Sequence, residues 1–459
     1  MMDIAGKTIT MVGLAKRTGV AVVKALGDKD VNLIVSDIKP ESELKEQLQE
    51  LKDYNLTLDL GGHSERALDC DLIVVSPGVP LDLELFDKAE QRQIPVISEI
   101  ELAYNLTSSR IVGITGTNGK TTTTGLTGEI MDRGLDQKVI TAGNIGKPLI
   151  NEIKKTGPRD WLVVELSSFQ LETVCEFRPE IGVFLNFAPD HLDRHKNIEN
   201  YLAAKKRIFA RQTADDISAV NMDDQDAVEA AAGSRSQRYG VSLQQTLKKG
   251  IYLQDNNFIF RDGKKSSREK IFSRADVSLP GDHNLYNTAF AALISRLAGV
   301  KPEIIQQSIK EFKPAAHRLE KVQELSSGTV FIDDSKATNP AAAVCAIRAS
   351  EKPLVLIAGG QDREADFSGL SEEIVQKVQY VILMGETAGK IKELLDKKRY
   401  NCYSVKQNME GAVRKAVEVC SPKSTVLLSP GCPSWDMYES YKKRGKEFQF
   451  YVNKLTAGC

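Results

Sequence analysis

Gly113-Ile114-Thr115-Gly116-Thr117-Asn118-Gly119-Lys120-Thr121-Thr122 joins an apolar run to a glycine turn and then to a helix-forming segment. Ile111 to Ile114 has strand character, and Lys-Thr-Thr opens a helix expected to continue toward Met131. A strand, glycine turn and helix in that order aim successive backbone N–H groups, and the positive end of the helix, at one point, which makes an anion site. Lys120 adds a mobile cation for β- and γ-phosphates, and the Thr121 hydroxyl is placed to ligate Mg2+. The spacing departs from the standard phosphate loop, because Ile114 stands five residues before Gly119 where that loop has glycine. A bland glycine turn reproduces part of this pattern, but not strand, Gly-Lys-Thr and helix together. The expectation is ATP or a relative, held by its phosphates at Gly116, Thr117, Asn118, Gly119, Lys120, Thr121 and Thr122.

Outward from this loop, short apolar strands alternate with amphipathic helices. The 459 residues are enough for about three domains at roughly 150 residues each. Thr8 to Val12, Val31 to Val35, Leu72 to Val75 and Val96-Ile97 read as strands of a Rossmann-like unit, with a turn at Gly13 to Gly19 and a helix from Val20. Asp37 ends its second strand, where an acid commonly binds a ribose hydroxyl; a plain turn acid fits the spacing equally well. The second unit carries the phosphate loop, with strands at Trp161 to Val164, Gly182 to Leu185 and Ile217 to Val220. Ile251 to Phe260 reads as hairpin material, and a helix after Gly281-Asp282-His283-Asn284 closes the unit. In the third, Val330 to Ile332, Leu354 to Ile357, Val381 to Met384 and Val426 to Leu428 are buried-type strands separated by helical patterns. The expected architecture is α/β, three domains in series at 1–108, 109–313 and 314–459, each built on a mainly parallel sheet.

Composition narrows the partners. Sixty-one basic residues balance 62 acidic ones, so no global field recruits nucleic acid or an anionic membrane. No apolar run approaches the roughly 20 residues that span a bilayer. The start, Met1 to Lys7, lacks an export pattern, and seven scattered cysteines without a CxxC pair suit reduced thiols. A cytoplasmic monomer is expected.

Several polar clusters end strands. Glu165 closes an apolar strand beside the phosphate loop, a position suited to holding Mg2+. Asp190-His191-Leu192-Asp193-Arg194-His195 follows the next strand; without a nearby Cys it fits a hard ion better than zinc. Ala203-Ala204-Lys205-Lys206-Arg207-Ile208 reads by itself as a solvated basic helix face. Asp333-Asp334-Ser335-Lys336-Ala337-Thr338-Asn339-Pro340 ends a strand and opens a helix that Thr338 or Asn339 caps. With Gly359 to Arg363 and Ser429 to Ser434, it puts three polar loops at the carboxyl edge of one sheet, which locates a ligand crevice.

Together these motifs resemble the Mur ligases, ATP-dependent amino-acid ligases of peptidoglycan precursor synthesis. The resemblance spans the chain: Ser76-Pro77-Gly78, the phosphate loop, Gly143-Asn144-Ile145-Gly146, Glu165-Leu166-Ser167-Ser168-Phe169-Gln170, Asp190-His191, Gly281-Asp282-His283-Asn284, His317-Arg318 and Asp334 to Asn339. The last run is similar to that of the members that add D-glutamate to UDP-N-acetylmuramoyl-L-alanine. The resemblance implies Lys120, His191, Lys205 and Lys336 as catalytic residues. It implies two Mg2+ ions, ligated by Thr121, Glu165, His191 and Lys205, with Lys205 carrying a CO2-derived carbamate. Asn284, Asn287, Arg318 and Asp334 fall at adenosine and phosphate contacts. Asp37, Ile38 and Lys39 fall at the UDP group, Asn144 beside the phosphate site, and Thr338, Arg363, Ser434 and Tyr441, with Lys336, at D-glutamate. Three departures stand out: a first-domain glycine turn one residue longer than usual, Arg363 where lysine is usual, and a varied Ser429 to Ser434 loop. The rival readings are a sister Mur ligase, a folylpolyglutamate ligase, or a nucleotide-binding module without ligase chemistry. A G-protein switch should carry an Asn-Lys-x-Asp run, and the sequence has none.

Overall fold

The computed structural model describes residues 2–264, 268–313, 316–351 and 353–456. Three sheets organise it. In the first, the order is Leu56–Leu60, Val31–Asp37, Lys7–Val12, Leu72–Val75 and Val96–Ser98, all parallel. The chain reverses its winding between Lys7–Val12 and Leu72–Val75, so a crevice forms beyond their carboxyl ends. There the Ser76 hydroxyl donates to Gly13 O at 2.6 Å. Gly13 has φ +85°, and a Cβ on it would lie 2.4 Å from Val79 Cγ2, so the turn admits only glycine.

The second sheet has nine strands and places Arg110–Thr115, which feeds the phosphate loop, between Trp161–Glu165 and Ile181–Phe184. Val139–Gly143 forms one edge beside Trp161–Glu165. On the other side follow Ile217–Asn221, Gln237–Ser242 and Lys249–Gln254, all parallel, and then Asn257–Asp262 and Glu269–Ser273, which run antiparallel. The predicted hairpin is present, with its turn at Asp255–Asn256, both at positive φ, and a second antiparallel pairing follows Asp262. The helix expected toward Met131 runs Lys120–Gly134, and Asp282–Leu297 is the helix expected after Gly281.

The third sheet is ordered Glu320–Glu324, Val330–Asp333, Thr425–Leu428, Leu354–Ala358, Tyr380–Leu383 and Tyr403–Val405. Only its first pair is antiparallel. Both its faces are covered, one by helices around Ile347, Leu370 and Ile391, the other by helices around Val413 and Phe448. That two-sided burial explains why its central strands are apolar throughout rather than alternating.

By packing, the chain divides into two compact units. One holds Met1–Phe187, Glu199–Asp276 and Tyr286–Ile309; the other holds Ala188–Ile198, Val277–Leu285 and Lys310–Cys459. The first two sheets therefore belong to one unit, and a single apolar cluster runs from Ile9 and Val35 through Ile100 and Leu149 to Phe184. Pro314, where the sequence reading begins the third domain, lies outside the described residues. No helix among the described residues is long and apolar enough to cross a membrane.

Candidate functional site

In the first unit the phosphate loop is built by backbone geometry that only glycine tolerates. Gly116 has φ +150° and Gly119 φ +84°. A Cβ on Gly119 would stand 2.1 Å from Asn287 Oδ1, and one on Gly116 2.9 Å from Leu185 Cβ. Asn186, at the end of the neighbouring strand, braces the loop three times. Its carbonyl accepts from Thr117 N at 3.0 Å, its Oδ1 from Asn118 N at 2.8 Å, and its Nδ2 donates to Asn118 O at 3.0 Å. Lys120 folds back to donate to Gly116 O and Thr117 O, both at 2.8 Å. Thr121 and Thr122 lie in the first turn of the helix, where the positive dipole end adds to the anion site.

Lys205 is 1% exposed, which corrects its reading as one lysine of a solvated basic face. Its Nζ donates to Gly116 O at 2.8 Å and stands 4.6 Å from the centre of the Tyr201 ring. The Tyr201 hydroxyl in turn lies 3.3 Å from Thr117 Oγ1. Glu165, 2% exposed, accepts from Asn144 Nδ2 at 2.7 Å through Oε1. Its Oε2 is buried and makes no hydrogen bond among the described residues. A buried carboxylate oxygen left in that state is costly without a cation, and a hard ion suits it.

The crevice of the first sheet holds Asp37, Ile38 and Lys39. Asp37 is engaged locally: Oδ2 accepts from Leu14 N at 2.6 Å and Oδ1 from Lys39 N at 2.9 Å. Ile38 stands 66% exposed beside it. Asp37 thus ties the glycine turn to the strand end, whatever it also contacts.

In the second unit, His191 adopts a left-handed backbone, φ +55°, and its Nδ1 lies 3.3 Å from Arg363 Nη1. Asn339 donates to Asp190 Oδ2 at 2.8 Å while its Oδ1 accepts from Ala342 N, so Asn339, not Thr338, caps the helix Pro340–Ala349. The Arg363 guanidinium sits 4.6 Å over the ring of Trp435. Lys336 Nζ lies 5.8 Å from the Tyr441 ring centre, and the Tyr441 carbonyl accepts from Ser335 Oγ. Ser434 is buried, its carbonyl accepting from Tyr438 N at 2.7 Å. Asp334 accepts from Ser429 Oγ at 2.9 Å; burial pushes its carboxyl up to about 6, against the pull of Arg318. Burial and Arg318 together push His283 down to about 4, so it is neutral near pH 7. Asn284 is buried and donates to Pro280 O.

Residues 7–98 match the MurD-like N-terminal domain of Mur ligases, 114–295 the Mur ligase middle domain, and 317–432 the Mur ligase glutamate ligase domain. The UDP-N-acetylmuramoylalanine–D-glutamate ligase of Clostridioides difficile (strain 630) is 41% identical over 456 residues, covering 99% of this chain and 100% of that one. The chain belongs to the Mur ligase family. The enzyme of the same name from Alkaliphilus oremlandii (strain OhILAs) is 41% identical over 458 residues, covering 99% of this chain and 100% of its own. Among solved structures, MurF from Acinetobacter baumannii aligns with TM-score 0.61 at 15% identity, over 97% of this chain and 91% of that one. UDP-N-acetylmuramate–alanine ligase from Thermotoga maritima aligns with TM-score 0.59 at 16% identity, over 99% and 100%. These two likenesses speak for the fold alone.

Within this Mur ligase the first unit gathers Gly116 to Thr122, Asn144, Glu165, Lys205 and Asn287 about one loop. The second gathers His191 with Arg363, Arg318 with Asp334, and Lys336 with Tyr441. Sequence reasoning missed Asn186, Tyr201 and Arg17. Asn186 carried a usable signal, a polar residue ending an apolar strand; Tyr201 carried none, because it lies on a helix whose packing decides its role.

Proposed function

We propose that this chain is an ATP-dependent ligase that joins D-glutamate to the alanine carboxylate of UDP-N-acetylmuramoyl-L-alanine, in cytoplasmic peptidoglycan precursor synthesis. The observation that carries this reading is the 41% identity to D-glutamate ligases over 456 residues, the third domain and its Asp334 to Asn339 run included. In this reading residues 1–108 bind the UDP end, 109–313 bind ATP, and 314–459 bind D-glutamate.

The reaction is carboxyl activation. The alanine carboxylate attacks the γ-phosphorus of ATP, giving an acyl phosphate and ADP. The deprotonated glutamate amine then attacks the acyl carbon, and the tetrahedral intermediate expels phosphate as the amide forms. Loop N–H groups and Lys120 hold the γ-phosphoryl oxygens, whose charge grows as the phosphoryl group moves. We assign Thr121 and Glu165 to one Mg2+ and His191, with the carbamate of Lys205, to a second. The bound ions supply charge neutralisation on the phosphoryl oxygens. As an ammonium, Lys205 is a hydrogen-bond donor and does not fit a cation; as a carbamate it offers oxygen. Asn284, Asn287, Arg318 and Asp334 are assigned to the nucleotide. Asp37, Ile38, Lys39 and Asn144 are assigned to the UDP substrate, and Lys336, Thr338, Arg363, Ser434 and Tyr441 to D-glutamate. Excluding water from the acyl phosphate is the task of domain closure.

The test is ADP release with product analysis across a panel of UDP-muramoyl acceptors and amino acids. Sustained amide formation should require both UDP-N-acetylmuramoyl-L-alanine and D-glutamate. Ligation of L-lysine or L-alanine with D-glutamate inert would overturn the assignment.

A further inference from the structure

Arg17 lies in the lengthened part of the first-domain glycine turn, and none of the roles above falls to it. Its guanidinium reaches across to the phosphate-loop domain, donating from Nη2 to Gly143 O at 2.6 Å and from Nη1 to Asn144 O at 3.0 Å. Only a planar fork with two parallel donors can hold two successive carbonyls this way; a lysine ammonium is a point donor. Both acceptors belong to the turn that leaves the edge strand Val139–Gly143.

That turn is fastened on its other side to Glu165. Gly143 has φ +99°, and a Cβ on it would lie 2.4 Å from Glu165 O. Asn144 N donates to Glu165 O at 2.8 Å, and Asn144 Nδ2 donates to Glu165 Oε1 at 2.7 Å. Further along, Ile150 N donates to Glu99 Oε1 at 2.7 Å, a second tie between this segment and the first domain. At the other end, Leu14 N bonds to Asp37 Oδ2, so the turn that carries Arg17 is tied to the expected UDP end of the crevice. A continuous set of contacts therefore runs from Asp37 through Arg17 and Asn144 to Glu165.

We propose that Arg17 is a positioning residue: it clamps the Gly143–Asn144 turn so that Asn144 presents the Glu165 carboxylate to the divalent cation, coupling the first-domain glycine turn to the phosphoryl-transfer site. The inference rests on the reading of Glu165 as a metal ligand. Groups that orient a metal ligand from outside the coordination sphere are worth roughly tenfold or more in metal affinity. A clamp one step further out should act in the same direction with a smaller effect.

The test uses the full chain with Arg17→Ala, Arg17→Lys, Asn144→Ala and Glu165→Ala, each checked for folding by circular dichroism. Mn2+ binding in the presence of ADP is read directly by water-proton relaxation, and KM is measured for each substrate. Arg17→Ala should weaken Mn2+ binding by about three- to tenfold and leave the KM for D-glutamate within about twofold. Arg17→Lys should recover part of the loss, and adding Arg17→Ala to Asn144→Ala should cost nothing more. Unchanged Mn2+ binding in Arg17→Ala, with binding lost in Glu165→Ala, overturns the clamp and leaves the metal reading standing. Normal Mn2+ binding in Glu165→Ala overturns the metal reading and the clamp with it. A rise confined to the KM for the UDP acceptor makes Arg17 a substrate contact, and the proposal fails.

Discussion

Lys205 and Lys120 converge on one acceptor: the Nζ of each donates to Gly116 O at 2.8 Å. Two ammonium groups sharing one carbonyl repel each other, the more so where one is 1% exposed and poorly screened. Converting Lys205 to a carbamate reverses the sign of that interaction and supplies oxygen beside the phosphate loop. The carbamate remains part of the proposed reading, and the shared acceptor is the geometric reason to test it at Lys205.

Lys205→Ala should cripple ligation, and short carboxylates such as acetate or formate should restore part of the rate by returning oxygen to the vacated space. His191→Ala should lose activity without comparable rescue, because its missing group lies elsewhere. Initial rates with and without added formate check both. Full activity of Lys205→Ala under ordinary and CO2-depleted conditions alike would remove the carbamate from the mechanism.

Lys120→Ala should stay folded, since the loop is braced independently by Asn186, whose carbonyl and side chain bond to Thr117 and Asn118. Turnover should fall by on the order of 10³-fold, the usual cost of losing a charge clamp on a moving phosphoryl group. Single-turnover ADP formation measures it. A folded variant with near-normal turnover would place the catalytic nucleotide elsewhere.

Gly119→Ala tests the loop geometry apart from catalysis. A Cβ there meets Asn287 Oδ1 at 2.1 Å and must occupy a left-handed conformation at φ +84°. The backbone term alone costs about 1–2 kcal/mol, and the clash adds to it. Urea unfolding should show the loss, and Gly119→Ala combined with Asn287→Ala should recover the clash but not the backbone term. Purely additive losses in the pair would show that the two residues do not touch.

The phosphate loop was legible in the sequence because strand, glycine turn and helix are contiguous and each glycine answers a local constraint. The loops Asp333 to Pro340, Gly359 to Arg363 and Ser429 to Ser434 were legible for a similar reason, since each follows an apolar strand of a sheet buried on both faces. Lys205 was misread from its neighbours: Arg207 is exposed and Lys206 half-buried, whereas Lys205, just before them, lies on the buried side of the helix Ile198–Lys206 with Tyr201 and Ala204 and reaches Gly116 O. The strand Leu56–Leu60 escaped notice because it is an edge strand with Thr57 and Asp59 in it, and Asp59 is there to accept from Ser36 and Ser64. Val139–Gly143 escaped as well, being half-exposed at the opposite edge of its sheet. The Arg17 clamp joins residues more than a hundred positions apart, which no local pattern encodes.

The tie between Glu99 and Ile150 carries a pH signature. Glu99 is 1% exposed, its Oε2 has no hydrogen-bond partner among the described residues, and burial pushes its carboxyl up to about 7 despite the nearby Arg17. Its unfolded value is near 4.5, so between that pH and about 7 the folded chain holds a proton that the unfolded chain has released. The stability this group contributes is therefore fully present below about 4.5 and is lost as pH rises through about 7, a change of roughly 3 kcal/mol. Glu99→Gln keeps an acceptor for Ile150 N and cannot ionise. Relative to the parent chain, it should gain stability steadily between pH 5 and pH 8 and level off above that. Urea midpoints for both proteins across this range measure the difference directly. A gap that does not change with pH would mean that Glu99 ionises in the folded protein as readily as in the unfolded one, and that its burial is relieved by solvent or a cation.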